Sequence, residues 1–270
     1  MIATSLVPAR GQAIEINGAR LAYEEHGAGD PLLLLHGGLT SSASWREVVP
    51  LLATRFRVIT PDSRGHGRST NPGGRLNYRQ IADDTVGLIA ALGLERPFLG
   101  GWSDGGQVAL EIALHHSHAV RALVVGAAFF NFGEEFRGSI RELVGMDAAG
   151  GIDVGRFETA LGAALPGFRS MFGGNDAEWR SFLAQTVQMW LDYPGLTAAD
   201  FGQMRVPVLV VAGDRDEFVP VEVAAAMYWM LPTSELAICP NASHSLPSTH
   251  PAWFAGTVAE FLGRQSASDG

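Results

Sequence analysis

Apolar runs and amphipathic stretches alternate along most of this chain, and their order predicts its elements. Residues 12–26 read as a hairpin. Ala13-Ile14-Glu15-Ile16 and Arg20-Leu21-Ala22-Tyr23 flank Asn17-Gly18, a pair that accepts the left-handed conformations of a tight hairpin turn. Pro31-Leu32-Leu33-Leu34-Leu35 is apolar without a break, as in a strand covered on both faces. Ser41 to Ala53 predicts a helix with Trp45, Val48, Val49 and Leu52 on one face. Phe56-Arg57-Val58-Ile59 predicts the next strand, and a helix from Tyr78 to Leu92 carries Ile81, Thr85, Leu88 and Ile89. Arg96-Pro97-Phe98-Leu99 leads into a glycine-rich turn that a helix from Gln107 to Leu114 leaves, and Ala122-Leu123-Val124-Val125 makes another buried strand.

After Phe130 this alternation stops. Residues 131–203 hold no convincing strand; they hold helical segments separated by glycines, the clearest with Trp179, Phe182, Leu183, Val187, Trp190 and Leu191 on one face. Strand and helix alternate again through Val206–Val211, Val221–Met230, Glu235–Ile238 and Pro251–Leu262, and the polar tail Gln265–Gly270 is expected to be loose. The pattern predicts an α/β fold: a mostly parallel sheet with helices on both faces. Residues 1–130 and 204–270 form the core, and 131–203 an inserted helical lid, the alternative being a helical subdomain that only packs. Such sheets place their chemistry in the loops at the C-terminal edge of the strands.

Bulk composition narrows the function classes. The chain has 270 residues, is 47% hydrophobic and carries a net charge of −9. That length fits one large unit, and the acidic balance argues against a nucleic-acid partner. The single cysteine, Cys239, excludes an internal disulfide and fits a reducing compartment. Met1–Pro8 lacks a basic start and a long apolar segment, so no signal peptide is expected. No apolar run approaches the roughly 20 residues of a membrane span, so the expected location is cytoplasmic with no membrane partner. In that setting the sequon Asn241-Ala242-Ser243 has no meaning, and no internal repeat is visible.

Candidate chemistry centres on Gly100-Gly101-Trp102-Ser103-Asp104-Gly105-Gly106. Alone, this Gly-x-Ser-x-Gly is equally a glycine-rich turn that holds a serine. Between a strand and a helix, it lifts the Ser103 hydroxyl clear of the sheet. A serine hydroxyl needs a base, and the base needs an orienting acid. Gly213–Pro220 offers Asp214 and Asp216, and Cys239–His244 offers His244. The order Ser103, acid, His244 is one of the known serine-triad orders. Of the other histidines, His26, His36, His66 and His250 are dispersed, while His115, His116 and His118 cluster at a helix C-terminus and read as a solvated cap rather than a metal site. Oxyanion donors are expected from the backbone N–H of Asp104, at the start of its helix, and of Gly38 in His36-Gly37-Gly38.

Together these residues resemble the α/β-hydrolase fold family over nearly the whole chain. The resemblance rests on His36-Gly37-Gly38, on Asp62 to Ser69, on the Ser103 turn, and on Gly-x-x-Asp-x-x-Val-Pro from Gly213 to Pro220 with His244 after it. It implies Asp216 as the acid, leaving Asp214 to order its loop, and assigns the oxyanion amides to Gly38 and Asp104. Ser103 implies ester, thioester, amide or related acyl cleavage without a cofactor or metal; an aspartate there would have implied a dehalogenase or epoxide hydrolase. Gly-Trp-Ser-Asp-Gly-Gly further resembles the valacyclovirase group, which acts on amino-acid esters. On that resemblance the Asp104 side chain pairs with a cationic group of the substrate; the simpler reading is helix N-terminal stabilisation of roughly 0.3–1 kcal/mol. Trp102 either lines the pocket or packs the turn. The leading expectation is a serine esterase acting on small-molecule carboxylic esters. Its rivals are a cofactor-free haloperoxidase or perhydrolase, a C–C bond hydrolase or lactonase, and a non-catalytic small-molecule receptor on the same fold.

Overall fold

Leu32 and Leu34 point to one side of their strand, and Leu33 and Leu35 to the other, because successive side chains alternate across a sheet. The computed structural model, which describes residues 11–266, fills both sides. Leu32 and Leu34 pack with Phe56, Val58, Phe98 and Phe254 in one buried cluster. Leu33 and Leu35 pack with Ile59, Leu99, Val108 and Ile112 in another.

Eight strands form one sheet in the order β1-β2-β4-β3-β5-β6-β7-β8: β1 Gln12–Ile16, β2 Ala19–His26, β3 Asp30–Leu35, β4 Phe56–Pro61, β5 Phe98–Trp102, β6 Leu123–Gly126, β7 Val208–Gly213 and β8 Ser234–Cys239. β2 is antiparallel to both β1 and β4, and every other neighbouring pair is parallel. The β1–β2 turn has φ of 48° at Asn17 and 75° at Gly18, the two positive values a primed hairpin turn requires.

The helices are α1 Val49–Leu52, α2 Tyr78–Ala91, α3 Asp104–His115, α4 Glu134–Leu143, α5 Val154–Leu161, α6 Leu165–Phe172, α7 Asp176–Asp192, α8 Ala198–Phe201, α9 Val221–Met230, α10 Leu246–Thr249 and α11 Pro251–Ser266. Residues of α2, α3 and α9 are buried in the cluster around Leu33, while α1 and α11 join the cluster around Leu32. The segment between β6 and β7 holds α4 to α8 and no strand. Its longest helix, α7, starts at a capping box in which Asn175 and Glu178 each satisfy the other's backbone N–H.

Two elements depart from the sequence reading. The helix expected over Ser41–Ala53 is a 3₁₀ turn, Ser42–Trp45, followed by the single turn α1. Pro50 has no N–H to continue a helix through this stretch and sits instead in the first turn of α1. The apolar face survives the break, since Trp45, Val48, Val49 and Leu52 are all buried. In the tail, Gln265 and Ser266 close α11 rather than lying loose; residues 267–270, like Met1–Pro8, fall outside the described residues. No described helix is long and apolar enough to cross a membrane.

Candidate active site

Ser103 stands between β5 and α3 with φ 54° and ψ −121°, a backbone conformation that side chains avoid. Such strain costs on the order of 1–3 kcal/mol and persists only where the surroundings impose it. Here they do. A Cβ at Gly101 would lie 2.1 Å from the Gly105 carbonyl oxygen, and one at Gly105 would lie 2.2 Å from that of Leu35. Glycine at these positions lets strand, turn and helix close up, and Ser103 N–H donates to Gly126 O at 2.8 Å. Ser103 Oγ has no hydrogen-bond partner among the described residues, so no bond to His244 is formed in this structure.

The loop after β3 approaches this turn closely. A Cβ at Gly37 would sit 3.2 Å from Ser103 Cβ, and one at Gly38 would sit 2.3 Å from Asp104 Oδ2. His36 braces the loop from inside: its Nδ1 donates to Gly37 O at 2.8 Å, and its Nε2 accepts Ser63 N–H at 3.0 Å. These bonds set the neutral tautomer, and burial holds the His36 pKa below its ordinary value. Asp104 opens α3, so its N–H has no intrahelical acceptor. Among the described residues no acceptor takes the N–H of Gly38 either. Two free backbone donors therefore flank the serine.

Loops after β7 and β8 bring the acid and the base together. His244 Nδ1 lies 3.0 Å from Asp216 Oδ1 and 2.9 Å from Oδ2. Asp216 also accepts the N–H groups of Phe218 and Val219, and its side chain is fully buried. With its proton on Nδ1, His244 presents Nε2 as an acceptor. Asp214 does not reach the histidine; it accepts Ala242 N–H and so orders the neighbouring loop. Two contacts invisible in the sequence fix the His244 backbone. Glu217 Oε2 accepts its N–H at 3.0 Å, and Trp102 Nε1 donates to its carbonyl at 2.9 Å. Trp102 is therefore spent on packing and on this bond. Its ring, 7% exposed, lies against Phe254, over Gly126 and 6.1 Å from the His244 ring. Beside His244 the aromatic ring open to solvent is Phe218, 63% exposed and edge-on to the imidazole at 5.1 Å.

Asp104 lies in the first turn of α3, where the simpler reading puts it, and its carboxylate has two partners that neither reading named. Its carboxylate accepts Tyr78 OH at 2.7 Å on Oδ1 and Trp190 Nε1 at 3.0 Å on Oδ2. Both donors are neutral, and burial raises the pKa of Asp104 despite them. Burial, with Asp104 alongside, pushes Tyr78 well above its ordinary range, so it stays a donor. Trp190 belongs to the apolar face of α7 and Tyr78 begins α2; spacing placed Trp190 on that face and named Tyr78 only as a helix start, and nothing in it pointed to the carboxylate.

The remaining histidines go elsewhere. His115 and His116 pair with Glu111 and Asp83, and His66 is buried against His36. No group of metal-ligating side chains occurs among the described residues.

Comparison with known proteins finds the likeness over nearly the whole chain. A sequence model described as the alpha/beta hydrolase family matches residues 32–257. The chain is 30% identical to the 2-hydroxymuconate semialdehyde hydrolase of Pseudomonas sp. (strain CF600), over 97% of its own length and 96% of the relative's. It is 29% identical to the 2-hydroxy-6-oxo-6-(2'-aminophenyl)hexa-2,4-dienoic acid hydrolase of Metapseudomonas resinovorans, over 94% and 91% of the two chains. Among solved structures, a thermophilic esterase from Thermogutta terrifontis superposes with a TM-score of 0.79 at 26% identity, covering 94% of this chain and 99% of that one. None of these three extends the resemblance to the valacyclovirase group beyond the Ser103 turn.

Proposed function

The chain belongs to the alpha/beta hydrolase family, and on that premise we propose that it hydrolyses the carbon–carbon bond beside the 6-oxo group of a small 2-hydroxy-6-oxo-dienoic acid, through an acyl-enzyme on Ser103. The observation that carries this reading is the nearly full-length similarity to the semialdehyde hydrolase and its aminophenyl counterpart. Molecules with those names contain no ester or amide, so the bond a hydrolase can open is the one between C5 and C6. This places C–C hydrolysis ahead of the carboxylic-ester reading that the Ser103 turn alone suggested.

The residues have defined roles in that reaction. His244 Nε2 takes the Ser103 proton, and Asp216 holds the imidazolium that forms. Oγ adds to C6, and the developing oxyanion receives the N–H groups of Gly38 and Asp104. Once C5 has gained the proton that the substrate's own 2-hydroxyl gives up in the enol-to-keto shift, the electron pair of the C5–C6 bond can leave as a conjugated enolate ending at the C2 oxygen. That oxygen takes the proton held on His244 and returns the residue to its neutral form. The acyl group stays on Ser103 until a water activated by His244 releases it as a carboxylic acid. The reaction calls for no metal or organic cofactor. α4 to α8 act as the lid, bringing Trp190 over the site.

Ester hydrolysis is the second reading, and Asp104 favours it. This carboxylate has only the neutral donors Tyr78 and Trp190, so an anionic dienoate would add a like charge to the site. A neutral ester would not, and an amino-acid ester would bring a compensating cation. The deciding experiment measures kcat/KM for 2-hydroxy-6-oxohepta-2,4-dienoate, for p-nitrophenyl acetate, and for an amino-acid ester with a free and an N-acetylated amine, each beside Ser103→Ala. Ser103-dependent loss of the dienoate's absorbance supports the first reading. Turnover of esters alone supports the second, and no Ser103-dependent turnover of any refutes both.

A further inference from the structure

We infer that Trp190 is the wall that limits the acyl group of the substrate, and that Asp104 is the positioning residue that holds it there. The inference rests on the acyl-enzyme reading above. Trp190 lies in α7, one of the helices inserted between β6 and β7, yet its indole is fastened to the serine turn. Nε1 lies 3.2 Å from Asp104 Oδ1 and 3.0 Å from Oδ2. Tyr78, itself 1% exposed, holds Oδ1 from the other side at 2.7 Å. A hydrogen bond to an ionised acceptor is stronger than a neutral one. The hydrogen bonds to Asp104 come from these two neutral side chains, and His244, when protonated, acts on it only at longer range.

The indole also touches the oxyanion loop. A Cβ at Gly38 would meet Trp190 Cζ2 at 3.4 Å. The four substituents of the tetrahedral carbon then have assigned directions. One is Ser103 Oγ. The oxyanion lies toward the amides of Gly38 and Asp104. The leaving group must face His244, which delivers its proton, on the side occupied by Phe218 and Trp102. The acyl substituent takes the remaining direction, away from His244, and that direction is the one assigned to Trp190, whose indole neighbours Gly38 and Asp104. In the two relatives named above the retained acyl group differs from formyl to aminobenzoyl in the compounds that name them, so this wall is where selection among such substrates falls.

The test uses p-nitrophenyl acetate and hexanoate, whose leaving group is common, so that the ratio of their kcat/KM values reads only the acyl side. In folded Trp190→Ala the hexanoate/acetate ratio rises about tenfold or more, the worth of one or two methylenes of pocket space. The Trp190 ring lies edge-on to Phe157 at 6.3 Å, and Trp190→Leu, which keeps an apolar side chain facing Phe157, moves the ratio the same way and serves if the alanine variant unfolds. Asp104→Leu removes the acceptor, frees the indole and raises the ratio. Asp104→Asn retains an oxygen for both Tyr78 and Trp190 and keeps the ratio within about twofold of wild type, even where its rates fall. Unchanged ratios in both Trp190 variants overturn the proposal, as does a wild-type ratio in Asp104→Leu. A wild-type protein without Ser103-dependent turnover overturns the acyl-enzyme reading instead, a result distinct from an unmoved ratio.

Discussion

Acid should weaken this fold as the pH falls below 6.5, and His66 supplies the reason. Its ring is 3% exposed, 5.1 Å from the His36 ring and edge-on to Phe182 at 4.8 Å, with Nδ1 donating to Arg64 O. Burial first, then the neighbouring His36, lowers its pKa from 6.5 to about 3. In the folded chain His66 is therefore neutral, whereas the unfolded chain takes up a proton as the pH falls below 6.5. The unfolded state binds more protons across this window, so the stabilisation is complete above 6.5 and is lost progressively down to about 3. From about pH 7.5 to pH 5 the loss from His66 alone is about 2 kcal/mol. His36, also lowered by burial, adds to it with the same sign. Asp62, which burial would raise but hydrogen bonds from Ser42 and Arg68 hold below its ordinary range, acts only at lower pH. Urea unfolding at the two pH values, followed by far-UV circular dichroism, measures the loss. The comparison is His66→Gln, which keeps a donor for Arg64 O but does not titrate. The variant starts less stable, yet it loses about 2 kcal/mol less than wild type between the two pH values. Equal losses in both proteins would refute the argument.

Two further outcomes follow from particular contacts. Arg64 and Asp84 form a paired salt bridge at 2.6 and 2.8 Å, with side chains 7% and 1% exposed. Asp84→Ala leaves the guanidinium buried and unpaired and lowers unfolding free energy by about 3–5 kcal/mol, read by chemical denaturation. Phe218→Ala removes the exposed ring beside His244. It reduces the preference for a phenyl over a methyl leaving group about threefold to tenfold while the thermal midpoint stays unchanged, as steady-state kinetics and a melt will show.

The parts of this molecule that were legible in the sequence are those where local pattern and global fold agree. The unbroken run Pro31–Leu35 announces a strand covered on both sides, and β3 lies between β4 and β5 in the sheet. Asn17-Gly18 announces a hairpin, and both residues have positive φ. Glycines around Ser103 announce a close approach of backbones, and a Cβ at Gly101 or Gly105 would collide with a carbonyl. In each case one short stretch contains its own physical cause. The Ser41–Ala53 stretch failed because apolar spacing predicts a buried face but is blind to the missing N–H of Pro50.

The site divides along the same line. Loops at the strand ends bring His244 to Asp216 rather than to Asp214, but Ser103 Oγ and His244 share no bond in this structure. What the sequence hid are contacts made between distant elements by side chains whose spacing has another explanation. Tyr78 and Trp190 satisfy the apolar faces of α2 and α7, so periodicity accounts for them fully and leaves their polar atoms unassigned. Asp104 shows the difference most clearly. Its carboxylate lies close enough to Gly38 that a Cβ there would sit 2.3 Å from Oδ2, and it is held by a phenol and an indole from two other helices. A carboxylate placed beside a nucleophile reads as a partner for substrate until its hydrogen bonds are counted. Once they are counted, its nearest obligation is to Trp190, and the path from Asp104 to substrate runs through that ring.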